Sequence, residues 1–476
     1  MGWTRSYRSK LAAFSFENVA KYWRYCHLYG VNNATRLALR RFRTPKGSPP
    51  ASVTVLPSPA LSVAEHAPPR IEKIISVVIP TRNAGSNVDQ LFRRLKSQEG
   101  VKDLEIIVVD SGSTDGTLTV AERCATKLVQ IAPEQFSHSF ARNTGAERAT
   151  GDYLLFMVQD ALPLTNWWLW EMATALETNS LAAVSCAEYP RADSDLFYQF
   201  LIHNHRGSGD SNEDRILSWD ESCSTYTGMR WNAQLSDVAT LIRRDVFETY
   251  RFQRNYAEDL DLGFRLIRDG QKLGYLQSTR VLHSHNRPAY YFLKRGYVDA
   301  RFLVELFSSF LYPAVDDKAR LYSDIIKMYA KVAKLGRVFT VLQFPLPVGG
   351  FVDELRSALQ AHATDTVVAD QAFDTDLHGL MECLLKEDDV SFSIADARTN
   401  MILSHVLDYL DRLGMWISGV YDVVDSNLAR DIVQAVHRAF ALYSGTHLAY
   451  LYMTLASRGE VGQSVARLDR TLLSGV

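Results

Sequence analysis

The sequence is short of cysteine, of net charge and of long apolar runs, and each shortage excludes something. Its five cysteines (Cys26, Cys124, Cys186, Cys223, Cys383) are scattered over 476 residues with no Cys-x-x-Cys pair. Such spacing forms neither a disulfide framework nor a thiolate metal knot, and reads as free or buried thiols in a reducing compartment. The formal net charge is −2, so overall charge selects neither nucleic acid nor an acidic partner. The longest uncharged apolar stretch, Val338 to Val352, is broken by Pro345, Pro347, Gly349 and Gly350. No segment is therefore expected to span a bilayer. The first thirty residues lack the unbroken apolar core of a signal peptide. The expectation is a cytoplasmic protein, soluble or peripheral on the inner membrane face.

Charge is present, but unevenly placed. From Met1 to Lys46 there are ten Lys or Arg against one acid, Glu17, with Trp3, Tyr7, Phe14, Phe16, Tyr22, Trp23 and Tyr25 interleaved. A basic, aromatic-rich arm can lie on an anionic membrane surface, or pack on the body with a solvated basic face. Residues 1–43 are expected to form this helical arm. Residues 44–70 hold seven of the fifteen prolines and little periodicity, and read as an extended linker.

From Glu72 the texture changes. "IISVVIP", "LEIIVVD", "KLVQI" and "DYLLFMV" are buried strand runs, and "NVDQLFRRLKSQ", "TLTVAERCA" and "SFARNTGAERAT" are helical between them. Alternation with short connections predicts a mostly parallel sheet covered by helices, with ligands at the carboxyl ends of the strands. The polar turns after Ile79, Val109 and Val158 then share one edge, which can bring Thr81, Asp110 and Asp160 together. After about Ala289 the pattern is helical. Leu321, Ile325, Met328 and Val332 form one stripe, and Leu428, Ile432, Val436 and Phe440 another, behind a cap at Asp425 or Ser426. Histidines and tyrosines of this block read as packing. The boundaries expected are 71–297 for the α/β domain and 298–476 for the helical one.

Five motifs in fixed order carry a resemblance: "SVVIPTRNAG", "IIVVDSGSTDGT", "FARNTGAERATGDYLLFMVQDALP", "YAEDLDLGFRLIRDG" and "LHSHN". Together they resemble the A-type fold of the family 2 glycosyltransferases, closest to the bacterial rhamnosyltransferase-like branch. The resemblance covers about Ile74 to Tyr297. It implies an inverting, metal-dependent transferase that uses a nucleoside-diphosphate sugar. The donor expected first is dTDP-rhamnose, and a UDP-hexose is the alternative. The acceptor expected is a glycan or lipid-linked glycan of surface polysaccharide synthesis. A non-catalytic scaffold is the rival of another class. A nucleotidyltransferase or dehydrogenase would need glycines that "PTRNAGSN" lacks.

By the same resemblance Pro80, Thr81, Arg82, Asn83 and Asp110 face the base and ribose, joined by Gln159. Residue chemistry leaves Asp110 open as a strand-end cap and Arg82 as a surface cation. Arg142 and Asn143 begin a helix suited to a diphosphate, with a salt bridge to the body as the other use of Arg142. In "MVQDALP" the second position of the family's Asp-x-Asp is Asp160, while Val158 replaces the first acid. Asp160 is the expected ligand for Mg²⁺ or Mn²⁺, with His285 and then His283 as further donors, or a structural strand-end acid. Glu258, Asp259 and Asp261 open a helix, where acids are also ordinary dipole partners. The resemblance makes Asp259 the base, supported by Glu258. Trp231, Asn232, Ser236 and Asp237 are the expected acceptor contacts. Trp167, Trp168 and Trp170 read more readily as core.

Overall fold

The computed structural model describes residues 54–55, 69–206, 213–307, 310–340, 342–361, 373–386 and 400–474. The basic arm lies outside the described residues, as does most of the proline-rich linker. The chain divides into two compact units. A sheet unit comprises Gly47–Ser194 and Ile202–His285, and a helical unit contains Asp195–Leu201 and Asn286–Val476.

In the sheet unit ten strands form one mixed sheet: β1 (Thr54–Val55), β2 (Ile75–Thr81), β3 (Leu104–Asp110), β4 (Lys127–Gln130), β5 (Tyr153–Met157), β6 (Leu162–Pro163), β7 (Ala183–Tyr189), β8 (Arg215–Leu217), β9 (Ala239–Arg243) and β10 (Leu273–Leu282). Their order is β1-β8-β10-β7-β9-β5-β2-β3-β4, with β6 paired to β10. Strands β5, β2, β3 and β4 run parallel. Strand β9 is antiparallel to both β5 and β7. The parallel half places Thr81, Asp110 and the turn after Met157 at one edge, in the register Thr81 opposite Asp110.

Among the described residues the helices here are α1 (Ser86–Lys96), α2 (Thr117–Cys124), α3 (His138–Arg148), α4 (Trp168–Thr178), α6 (Tyr226–Asn232), α7 (Arg244–Tyr250) and α8 (Glu258–Arg268), while α5 (Leu196–Arg206) begins in the helical unit and ends in this one. Side chains alternate across a strand, and the sheet buries both faces. Val77, Ile79, Leu155 and Met157 join Val88, Leu91 and Trp168 in one core. On the other face Phe156 packs on Phe247 and Phe252. There Gly145 of α3 lies so close to Val78 and Val109 that a Cβ would overlap them. Here glycine serves close approach, and α3 is thereby held tightly against the ends of β2 and β3.

The helical unit contains α9 (Ala289–Leu306), α10 (Lys318–Ala333), α11 (Val348–Gln360), α12 (Thr375–Leu385), α13 (Met401–Ser418), α14 (Ser426–Arg458) and α15 (Gln463–Leu473), with a two-stranded β11–β12 ribbon (Leu346–Pro347, Val423–Val424). The expected stripe Leu321, Ile325, Met328 and Val332 is buried, and Asp425 caps α14. That helix runs 33 residues, well beyond the stripe that announces it. Gly445 in its middle packs directly on the Leu293 carbonyl of α9, with no room for a side chain. Among the described residues no helix is long and apolar enough to cross a membrane.

Candidate functional site

The carboxyl ends of β2 and β3 are tied into a rigid rim. Asp110 is buried, and its Oδ1 accepts hydrogen bonds from the Thr81 hydroxyl (3.0 Å) and the Ser113 hydroxyl (2.5 Å). Its Oδ2 accepts from the backbone N–H of Gly112 and Ser113. Asp110 thus shapes the "SGS" turn as a strand-end cap does. Asn83 takes the left-handed conformation (φ 47°), and its Oδ1 accepts from Thr114 N–H at 2.8 Å. Gln159 reaches across from the end of β5. Its Oε1 accepts from Arg82 N–H at 2.8 Å and its amide donates to the Arg82 carbonyl. The Arg82 side chain is exposed beside this bridge, and Pro80 is half-buried within β2. Pro80, Thr81, Arg82, Asn83, Asp110 and Gln159 are therefore brought together.

A second cluster sits past β5 and β10. One oxygen of Asp160 and one ring nitrogen each of His283 and His285 lie within 4.8 Å of one another. The two imidazoles meet Nε2 to Nε2 at 3.0 Å, and His285 Nδ1 is 3.4 Å from Asp160 Oδ2. The other nitrogen of His283 is 2.8 Å from Glu188 Oε2. A carboxylate behind a ligating imidazole is the usual outer partner of a metal site. Burial works against a protonated His283, but Glu188, then Asp160 and Asp237, outweigh it and raise its proton affinity. Arg191 donates to the Asp160 carbonyl and so holds the turn. One carboxylate and two imidazoles make a mixed oxygen–nitrogen donor set, which departs from the all-oxygen shell that Mg²⁺ favours. Val158 contributes no donor and packs against the sheet core.

The third cluster surrounds the start of α8. Arg142, 1% exposed, donates from Nη1 to Glu258 and from Nη2 to Asp237 Oδ2 at 2.9 Å. Asp259 accepts from Asp237 N–H at 3.2 Å and from Leu260 N–H at 2.7 Å. Burial pushes the Asp259 carboxyl up to about 6, and the Asp237 charge adds to it. Glu258 is also raised, by burial and then by its acidic neighbours against the pull of Arg142. Ala257, which precedes them, is left-handed (φ 46°, ψ 41°) and makes no side-chain cap. Strain of this kind, held by its surroundings, is common beside reacting groups. His138 of α3 approaches the same carboxylates, its ring nitrogen within 4.8 Å of Asp237 and Glu258 oxygens.

Several expected contacts are placed elsewhere. Asn143 exchanges two hydrogen bonds with the backbone of Phe252. Asn232 is buried and its amide binds Ser222 Oγ and Asp220. Trp231 stacks under the Arg215 guanidinium at 4.2 Å. Ser236 is bonded through its backbone to Ser185 and Thr240. Of the four expected acceptor contacts, Asp237 alone joins the carboxylate cluster. Trp168 and Trp170 are core residues, bonded to Cys186 Sγ and the Pro69 carbonyl. The sequence reading misses Glu188, Arg191 and His138. The signal for Glu188 is an acid at the carboxyl end of the run "AVSCAEY"; the other two carry none.

The sequence profile of glycosyl transferase family 2 matches residues 76–251. The chain is 28% identical over 216 residues to the O-antigen chain rhamnosyltransferase WbaN of Salmonella anatum, across 44% of this chain and 66% of that protein. It is 33% identical over 245 residues to an uncharacterized glycosyltransferase, YibD, of Escherichia coli, across 45% of this chain and 71% of the relative. Among solved structures it is similar to the mannosyltransferase PcManGT from Pyrobaculum calidifontis in complex with GDP-Man and Mn²⁺. That match has a TM-score of 0.41 and 16% identity, over 86% of this chain and 94% of the other.

Proposed function

The chain belongs to glycosyltransferase family 2, and on that footing we propose that it moves a sugar, with inversion, from a nucleoside diphosphate to a hydroxyl of a glycan or lipid-linked glycan. The donor proposed first is dTDP-rhamnose. Two relatives named as O-antigen chain rhamnosyltransferases support that choice, and each is spanned to about two thirds of its length. The observation that carries the reading is the adjacency of two unlike clusters. The donor set Asp160, His283 and His285 and the carboxylate cluster of Asp259 meet at the paired ends of β5 and β9: Val158 N–H, two residues before Asp160, donates to the Val238 carbonyl, and Asp237, the residue before Val238, holds Asp259 through its N–H.

In the proposed reaction Asp259 accepts the proton of the acceptor hydroxyl as that oxygen attacks the anomeric carbon. The new carbon–oxygen bond forms as the bond to the diphosphate breaks, and the nucleoside diphosphate leaves with the bonding pair. A carboxyl raised toward neutral pH is a stronger base than an ordinary aspartate while still largely ionised at pH 7. The Thr81–Asp110–Ser113 and Arg82–Gln159 rim keeps the nucleoside edge rigid. Asp160, His283 and His285 would hold a divalent ion, which when bound supplies positive charge for the departing diphosphate. Attack from one side and departure on the other needs no enzyme nucleophile, and one displacement inverts the anomeric centre.

A thermal-shift panel tests this: deoxythymidine, uridine, guanosine and cytidine diphosphates, each with and without Mn²⁺. At a hundredfold excess over Kd a ligand stabilises by about 2.7 kcal/mol. The expected result is the largest shift with deoxythymidine diphosphate, dependent on Mn²⁺. A preference for another base reassigns the donor, and shifts indifferent to Mn²⁺ defeat the metal reading.

A further inference from the structure

We infer that Arg142 is a positioning residue for the base, clamping Glu258 and Asp237 so that the Asp259 carboxylate is held in one place, and that it does not bind the donor's diphosphate. This rests on the reading of Asp259 as the base. The geometry is specific. Arg142 is 1% exposed, both terminal nitrogens are committed to carboxylates, and the guanidinium lies 5.7 Å from the centroid of the Phe252 ring. To meet an incoming phosphate with these nitrogens it would have to break a buried ion pair to Glu258 and a half-buried one to Asp237, leaving both acids uncompensated. Each clamped acid is one step from Asp259. Glu258 precedes it in the chain, and the Asp237 N–H donates to its Oδ2. With Leu260 N–H on Oδ1, both oxygens of the base are oriented before any substrate arrives.

The clamp also sets charge. Asp259 faces Asp237 from the loop before β9, Glu258 from its own helix and Arg142 from α3, while His138 of α3 lies against Asp237 and Glu258. Asp261 of α8 is separately paired with Arg254 and Arg265. Arg142 is the cation that lets three neighbouring carboxylates coexist. His138, Asp237 and Glu258 form a second donor set by distance alone. The guanidinium already bonded to both acids opposes a divalent ion there, so this set is read as part of the clamp.

Kinetics of purified variants of the full chain test the inference. Without Arg142, the carboxylates lose their stabilising cation, so the acid limb of the rate profile moves to higher pH. Without the Asp237 charge it moves to lower pH. Arg142→Met is expected to lower kcat by about tenfold or more with donor KM within about twofold, and to shift the acid limb upward. Arg142→Lys, which keeps the charge without the fork, restores the limb but not the full kcat. Asp237→Asn, at a half-exposed side chain, gives the opposite limb shift and remains readable if Arg142→Met does not fold. A large rise in donor KM with kcat retained, or a limb unmoved by both substitutions, overturns the inference. Asp259→Asn is measured alongside. Activity that survives that change defeats the base reading itself, whereas loss of activity there with a donor-KM effect at Arg142 defeats the clamp alone.

Discussion

His283 in the sheet unit and His447 in the helical unit are both buried, yet their surroundings push the imidazole in opposite directions. His283 has Glu188 on one nitrogen and Asp160 near the other, and its proton affinity rises. His447 bonds the Tyr443 carbonyl and touches His405, and burial takes it down to about 3. His437, on the Val332 carbonyl and stacked on Phe373, falls to about 4. Burial alone disfavours charge in each case; carboxylate partners decide the sign. A histidine among acids at a strand end gains affinity for positive charge, and one bonded to a helix carbonyl is a filler with its polarity satisfied.

The largest effect is expected at the carboxylate cluster of the sheet unit, not at the helical unit's buried histidines. Asp259→Asn keeps the shape of the side chain and one of its two acceptor oxygens but removes the proposed base. Loss of a positioned general base costs about 10²- to 10⁴-fold, measured as kcat on the accepted donor with an unchanged melting profile. In wild-type protein the rate should fall as pH drops through about 6, because Asp259 must be ionised to act and its carboxyl is raised to that value. A flat profile down to pH 5 would remove Asp259 from the role.

Glu188→Gln sharpens the contrast without touching the three donors. Losing the carboxylate behind His283 should weaken Mn²⁺ binding by about 10- to 100-fold, read by calorimetric titration of the metal alone. His447→Leu should leave the same titration unchanged. Equal affinity in Glu188→Gln and wild type would mean that Glu188 orients nothing.

Much of this arrangement was legible from sequence, for reasons that can be named. Each motif couples a buried run to a polar turn at a known end, so Thr81, Asp110 and Asp160 fall on one edge once the strands are parallel. "HSH" after a strand places two imidazoles on one side. What stayed hidden depends on partners far along the chain. Arg142 offers itself equally to a phosphate or an acid, and only packing brings it to Asp237 and Glu258. Asn143 and Asn232 look like ligand-binding amides, yet both satisfy backbone or turn groups. Glu188 gains meaning only because β7 and β10 are neighbours. The second half of α14 hides behind Ser444, Gly445, Thr446 and His447, whose small or polar side chains interrupt the apolar stripe while the helix continues.

The helical unit should reveal its buried histidines in acid. Their folded-state affinities lie below the unfolded value of about 6.5, so the unfolded chain binds more protons as pH falls. The stabilising contribution is complete above about 6.5 and is lost progressively toward about 3 for His447 and about 4 for His437. By pH 5 each contributes a loss of about 2 kcal/mol. His447→Leu should flatten the melting temperature's dependence on pH between 7 and 5, and a slope identical to wild type would show that this ring is not buried neutral.

The smallest effect expected comes from the way helices begin in the two units. In the helical unit α10, α12, α13 and α14 start on Asp317, Asp374, Asn400 and Asp425, each accepting from the first turn. Helix α8 starts instead on left-handed Ala257 with no cap. A non-glycine residue there costs about 1–2 kcal/mol, and glycine returns roughly half of that gain through its greater unfolded freedom. Ala257→Gly should therefore stabilise the protein by about 0.5–1 kcal/mol in a thermal melt. The same freedom loosens the segment that aims Glu258 and Asp259, so kcat should fall slightly while donor KM holds. Stabilisation with undiminished kcat would show that the strained start of α8 is incidental to the base, and that Arg142 and the Asp237 N–H suffice to aim it.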